Sequence, residues 1–178
     1  MESIVSKFNG ENNLSYTFSS SAPSNGRLTE YGISTDGKYF YTDTTVDIRP
    51  FFWQISFPQR VTIDSYNICT KYMPWTSTYV ENWDVSFSVD GNHFVTLQTD
   101  TANSATSDAV NYKLSRTISC KHFRITMKST SNNNKWHAVS KFDCFESTEL
   151  LPWCTRCIAS NWRIQQLIIS IMVASIIS

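Results

Sequence analysis

Neither sign of charge predominates in this chain: 15 Lys and Arg stand against 15 Asp and Glu. A nucleic-acid binder would show a basic surplus or stripe, so that class is set aside. Attachment to anionic lipid by charge alone is weakened for the same reason. Glycine and proline are scarce, 5 of each, and only 17% of residues are charged against 41% hydrophobic. That balance belongs to a globular chain and not to a disordered one. Cysteine is sparse and odd in number: Cys69, Cys120, Cys144, Cys154 and Cys157. A dense disulfide framework is therefore excluded. Cys69, Cys120 and Cys144 fall in strand-like apolar runs, where cysteine reads as a small buried hydrophobe. The start, Met1 to Lys7, lacks the charged-then-apolar pattern of a signal peptide, which tilts the expectation toward an intracellular location. Also missing are a GxSxG elbow, a GxGxxG turn, a P-loop and an HExxH pair. His93, His122 and His137 do not stand at metal-ligand spacing. No enzyme and no cofactor is expected. Asp36, Asp43 and Asp47 offer carboxylates for calcium, but without EF-hand spacing.

Aromatics, by contrast, are plentiful: 6 Trp, 8 Tyr and 11 Phe. Such a load favours strands and leaves rings over for a surface. The segments are short, alternating and punctuated by turns, as in all-β proteins. Trp83, Val85, Phe87 and Val89 alternate with Asp84, Ser86 and Ser88, which predicts one buried and one wet face. Asp90-Gly91 then signals a hairpin, and His93 to Leu97 is the expected return strand. Trp53, Ile55 and Phe57 alternate likewise until Pro58, which should end that strand or place it at an edge. Val61 and Ile63 begin a run that Tyr66 and Ile68 continue in opposite phase, so a bulge is expected near Asp64-Ser65. Phe123-Arg124-Ile125-Thr126-Met127 and Ala138 to Phe145 supply further strands. The predicted core is Trp53, Ile55, Val85, Phe87, Phe123, Ile125 and Phe142.

Polar stretches rich in Ser, Thr, Asn and Asp run from Ser19 to Asp47, Thr99 to Val110 and Ser129 to Lys135, and they read as surface loops. No amphipathic helix is apparent before residue 150. After Glu146 the character changes. The expected division is a β-sandwich over 14–146 and a non-domain tail over 147–178 with an apolar end. Leu167 to Ser178 would make a helix of about 18 Å. A bilayer core needs about 30 Å. Membrane contact through this tail is therefore not favoured.

The order of the strands carries a family resemblance. Trp53-Gln54-Ile55-Ser56-Phe57, Val61 to Ile68, Trp83-Asp84-Val85-Ser86-Phe87-Ser88-Val89-Asp90-Gly91-Asn92-His93-Phe94, Lys121-His122-Phe123-Arg124-Ile125 and Ala138 to Phe145 resemble, in sequence order, the strands of discoidin domains, the coagulation factor V/VIII type C kind. Phe94 stands where that family usually has Trp, Glu146 where many relatives have Gly, and the usual terminal cysteine pair is absent. The resemblance is closest to protist versions. It implies an antiparallel β-sandwich of about eight strands, a jelly roll of the galactose-binding-like class, that binds ligands through loops at one end.

Aligned to such a loop, Lys71 to Tyr79 contains Tyr72, Met73, Trp75 and Tyr79. Apolar rings in a loop either fold back on the core or meet a ligand. Trp and Tyr faces suit sugar C–H faces, and their N–H and O–H groups add hydrogen-bond handles. A second loop, Gly32 to Pro50, adds Tyr39, Asp47 and Arg49, where an Arg fork beside carboxylates can hold hydroxyls or an acidic group. Asn132 to His137 forms a third loop. The expected function is a non-catalytic module recognising carbohydrate, glycoconjugate or a protein surface. The alternative is a scaffold domain that docks proteins and has no small-molecule site. A third reading takes Trp153-Cys154-Thr155-Arg156-Cys157 as a thiol redox motif. Only 21 residues follow Cys157, too few for the βαβ context that motif requires.

Overall fold

The computed structural model describes residues 3–5, 16–21, 29–33, 38, 40–42, 49–71, 77–104, 106–131 and 137–146. The chain divides into two compact units, Met1–Ser147 and Thr148–Ser178. The second, with Cys154, Cys157 and the apolar tail, lies outside the described residues. No helix among the described residues is long and apolar enough to cross a membrane.

Among the described residues of the first unit there are seven strands and one 3-10 helix. They are β1 (Thr17–Ser20), the 3-10 helix (Thr29–Ile33), β2 (Phe40–Tyr41), β3 (Phe51–Cys69), β4 (Val80–Ser88), β5 (Val95–Thr101), β6 (Val110–Thr130) and β7 (Ala138–Phe145). Every pairing is antiparallel, in the order β2-β7-β3-β6-β4-β5 with β1 on β3. The registers fold this ladder into two layers. The first half of β3 lies between β1 and the second half of β6, which also pairs with β4, and β4 pairs with β5. The second half of β3 lies between β7 and the first half of β6. The two long strands thus pass from one layer to the other.

Pro58 marks the crossing. It neither ends the strand nor places it at an edge, the two outcomes expected of it: β3 runs on to Cys69 with paired neighbours on both sides. Between the pairs Ser56↔His122 and Val61↔Cys120, β3 holds Phe57 to Arg60 where β6 holds only Lys121. A proline has no N–H to give a ladder, and here the ladder is interrupted. The phase change at Ser65 is also present, but the extra residues sit on the partner. Ile63 pairs with Ile118 and Ser65 with Lys113, so Leu114 to Thr117 of β6 bulge opposite Asp64. The return strand of the hairpin begins at Val95 and not at His93.

Cross-strand pairs build the inner face: Trp53↔Ile125↔Val85 and Ile55↔Phe123. Rings from the opposing layer close on them. Phe142 lies 5.0 Å from Trp53 and 5.5 Å from Phe123, and Tyr66 lies 5.5 Å from Phe123. All six remaining predicted core residues are buried, but Phe87 is only half-buried, with Arg116 over its ring at 5.9 Å. Val89 lies beyond the end of β4 and is 45% exposed. Cys69, Cys120 and Cys144 are buried free thiols. Burial pushes the Cys120 thiol up to about 12 and raises Cys144 as well.

One polar chain threads this core. The Trp83 indole N–H donates to the Tyr66 hydroxyl at 2.8 Å, and that hydroxyl donates to Asp100 at 2.5 Å. Asp100 also accepts from the Gln98 amide. The same Gln98 side chain accepts the Ser115 N–H at 2.7 Å and donates to the Lys113 carbonyl at 3.2 Å. It stands in for a neighbouring peptide group at an edge of β6.

The wet face expected on β4 is also covered. Ser86 and Ser88 are buried. Arg124, the register partner of Ser86, lies 4.0 Å from the Phe52 ring centre and 3.4 Å from that of Phe94. Its Nε and Nη2 donate to Gln54 Oε1. A guanidinium stacked on both faces makes a lid over a row of small hydroxyl side chains.

Candidate binding end of the sandwich

Strand pairing decides which loops share an end. Val80 at the start of β4 faces Thr130 at the end of β6, and Cys69 at the end of β3 faces Ser140 near the start of β7. β2 pairs with the first residues of β7, Phe40 with Val139 and Tyr41 with Ala138. The loops that leave β2, β3 and β6 therefore start from one end.

Hydrogen bonds tie their feet together. Lys71 bridges Tyr79, and Val80 N donates to the Thr70 carbonyl at 3.0 Å. Ser131 N donates to the Tyr79 carbonyl at 3.0 Å, and Tyr79 N donates to Ser131 Oγ at 3.1 Å. Ser131 Oγ also donates to the Ser77 carbonyl at 3.4 Å. Thr42 N donates to the His137 carbonyl at 3.0 Å, and the buried His137 ring stands edge-on to Phe51, 4.1 Å between centres. Thr42 is fully buried, and its Oγ1 has no hydrogen-bond partner among the described residues.

Of the site residues read from the sequence, Tyr79 is half-buried at the foot of the aromatic loop, and Arg49 is half-buried at the entry to β3. Tyr39, Asp47, Tyr72, Met73 and Trp75 lie outside the described residues. Sequence reasoning missed a fourth contributor, the loop between β5 and β6. The Cys69 thiol donates to the Thr106 carbonyl at 3.4 Å, Lys71 Nζ to Ser107 Oγ at 3.3 Å and Lys141 Nζ to the Ser107 carbonyl at 2.7 Å. No local signal pointed to this arrangement, because the partners lie 34 to 37 positions apart. Among the described residues no group of His, Cys, Asp or Glu could hold a metal ion.

The opposite end, at the β4–β5 hairpin, is locked by its own side chains. Asp90 Oδ1 accepts the Asn92 and His93 N–H groups at 2.9 Å each, and Oδ2 lies 2.6 Å from His93 Nδ1. These bonds, led by that of His93, hold the Asp90 carboxyl well below the usual carboxylate range. Gly91 has φ 82°, the left-handed turn conformation that a glycine adopts without strain.

The F5/8 type C domain family matches residues 14–142. No curated protein matches the chain. Among solved structures it is similar to the family 32 carbohydrate-binding module of Clostridium perfringens NanJ in complex with galactose. There the TM-score is 0.62 at 9% identity, covering 74% of this chain and 93% of that one. It is also similar to CpGH89CBM32-5 of Clostridium perfringens in complex with GalNAc-β-1,3-galactose, with TM-score 0.62, 12% identity and coverage of 73% and 94%. A third is the CBM32 of AlyQ in complex with 4,5-unsaturated mannuronic acid, with TM-score 0.60, 15% identity and coverage of 74% and 95%. At these identities the likeness is one of fold, the galactose-binding-like β-sandwich. The family match spans most of the chain in the strand order described above, and the chain belongs to the F5/8 type C domain family.

Proposed function

We propose that the chain is a non-catalytic module that binds a carbohydrate or glycoconjugate at the loop end of its sandwich. One observation carries the reading: the feet of the aromatic loop, Lys71 and Tyr79, are clamped together and onto Ser131. A ring-bearing loop with fixed feet presents its side chains at low entropic cost. Tyr72, Met73, Trp75 and Tyr79 supply the stacking and apolar surface in this reading. Tyr39, Asp47 and Arg49 supply hydrogen bonds to hydroxyls. The saccharides named with the three solved structures, galactose, GalNAc-β-1,3-galactose and 4,5-unsaturated mannuronic acid, support a glycan as the ligand class.

A glycan array followed by titration calorimetry with Trp75→Ala tests it. The expected result is at least a tenfold loss of affinity with the thermal midpoint unchanged. Destabilisation by about 3 kcal/mol or more would mark Trp75 as a core ring and refute the assignment. Retained binding to a protein partner, with no glycan bound, would favour a docking domain.

A further inference from the structure

We infer that the β4–β5 hairpin end, opposite the candidate sugar-binding loops, docks an extended acidic segment of a partner protein on an apolar strip of Phe87, Val89 and Val95 flanked by Arg60, Arg116 and Lys121. The inference is independent of the glycan reading. Three observations carry it.

The first is an uncovered apolar strip. Val89, Val95 and Val110 are the exposed large hydrophobic residues among the described ones, and Val89 and Val95, at 45% and 52%, belong to this hairpin. Phe87 pairs with Val95, so the two side chains share one face of the sheet, the inner face on which Trp83 and Val85 also lie. Val89 continues the same alternation. Trp83 and Val85 are fully buried, Phe87 is half-buried and Val95 is exposed. The inner face thus runs out past the core, beyond the cover of the opposing layer. β5 ends the strand order, so no neighbouring strand shields the outer edge of the hairpin. Apolar side chains grouped in this way mark an interaction surface, and a free strand edge suits an extended segment.

The second is charge. Arg116 stands over the Phe87 ring at 5.9 Å. Lys121 adjoins His122, the register partner of Ser88, and Arg60 belongs to the stretch of β3 that faces Lys121. All three are exposed, and none forms an ion pair among the described residues. The acids of this end are already engaged. Asp90 accepts from the Asn92 and His93 N–H groups and pairs with the His93 ring, and Asp64 accepts from the Ser65 hydroxyl. Cations around an apolar strip are complementary to carboxylates that flank apolar side chains.

The third is that the hairpin is fixed in advance. Ser88 Oγ donates to Asp90 at 2.9 Å and accepts the Gly91 N–H at 3.0 Å, in addition to the bonds that Asp90 makes to the next two residues. A preformed strip is presented at low entropic cost. The same lock argues against a lipid surface as the occupant. It keeps Asp90 ionised at the tip, where insertion would press a carboxylate against anionic headgroups.

Selection of octapeptides from a random displayed library on the full chain, followed by anisotropy titration of the enriched peptides, tests the inference. Enriched peptides should combine Asp or Glu with apolar side chains. Replacing their acids by the corresponding amides should weaken binding about fivefold to tenfold at low salt, the size expected for two or three exposed ion pairs. That difference should shrink as salt rises. Val89→Ser with Val95→Ser, and separately Arg116→Gln with Lys121→Gln, should each weaken binding about fivefold or more with the thermal midpoint nearly unchanged, as expected of surface changes. Lys128→Gln, whose ammonium pairs with Asp84, should not. No enriched peptide, enrichment without acids, or binding indifferent to both double variants would overturn the inference. So would binding to vesicles of phosphatidylserine and phosphatidylcholine that is lost with the two valines, which would make the hairpin a membrane contact instead. None of these outcomes bears on the glycan reading, because the hairpin lies at the opposite end.

Discussion

Replacing Tyr66 by Phe removes one oxygen and tests what joins the two layers. The hydroxyl accepts from the Trp83 indole N–H at 2.8 Å and donates to Asp100 at 2.5 Å, and both rings are fully buried. Asp100 keeps the Gln98 amide, so the stranded group is the Trp83 N–H. A hydrogen bond to a charged partner contributes about 1.5–3 kcal/mol, and an unpaired buried donor costs about 1–3 kcal/mol. The two overlap, and the net expected loss is about 2–4 kcal/mol. For a domain of this size that lowers the thermal midpoint by roughly 4–16 °C. Urea unfolding followed by tryptophan fluorescence measures the cost directly. In a Trp83→Phe background the same change should cost at least about 1 kcal/mol less, because no indole is left to strand. A loss below about 0.5 kcal/mol, or equal losses in both backgrounds, would refute the account. The pH dependence has a definite sign. Burial, then the bond to Asp100, raises the Tyr66 pKa far above its ordinary 10.0. Its contribution is therefore complete below pH 10 and is lost as pH rises beyond that, when the unfolded chain ionises and the native one does not. The Cys120 thiol, raised from 9.0 to about 12, starts the decline near pH 9. Above pH 10 the stability of Tyr66→Phe should fall less steeply than wild type, by about 1.4 kcal/mol per pH unit.

Gly32→Ala should destabilise by about 3 kcal/mol in a denaturant melt, since a Cβ there would lie 2.5 Å from the Trp53 ring. That ring is fully buried and tied to the Thr29 carbonyl at 2.8 Å, so it has little room to yield; a neutral result would show that it does. By NMR titration His93 should lose its proton above pH 6.5 and His122 below it. The Asp90 hydrogen bond raises the first, and desolvation, then Lys121, lowers the second. Asp90→Asn should bring His93 back down; an unchanged His93 titration would deny the pairing.

Much of the fold follows from the sequence because side-chain alternation is local. Two-residue periodicity marks Trp53, Ile55, Val85, Phe123 and Ile125 as inward, and Asp90-Gly91 marks the hairpin, before any partner strand is known. The family motifs follow the same strands and match over residues 14–142. What alternation leaves open is what covers each face. It marks Ser86 and Ser88 as outward, yet they are buried, because Arg124, seventy positions from Gln54, is held between Phe52 and Phe94 above that face. It marks Phe87 as inward, yet the ring is only half-buried with Arg116 over it. Pro58 reads as a stop, yet β3 continues, because a strand changing layers needs no ladder bond at the corner. The candidate site divides in the same way. Rings at Tyr72, Trp75 and Tyr79 are legible as an oddity within one loop. The meeting of Lys71, Lys141 and Ser107 exists only once β7 is seated beside β3, since three segments far apart in the chain have no common local signal. Sequence thus determined the alternation along the main strands, most of the core residues it named and the family. Tertiary pairing decided which loops share an end and which charges face one another there, because those distances are set by strand order and register and not by spacing along the chain.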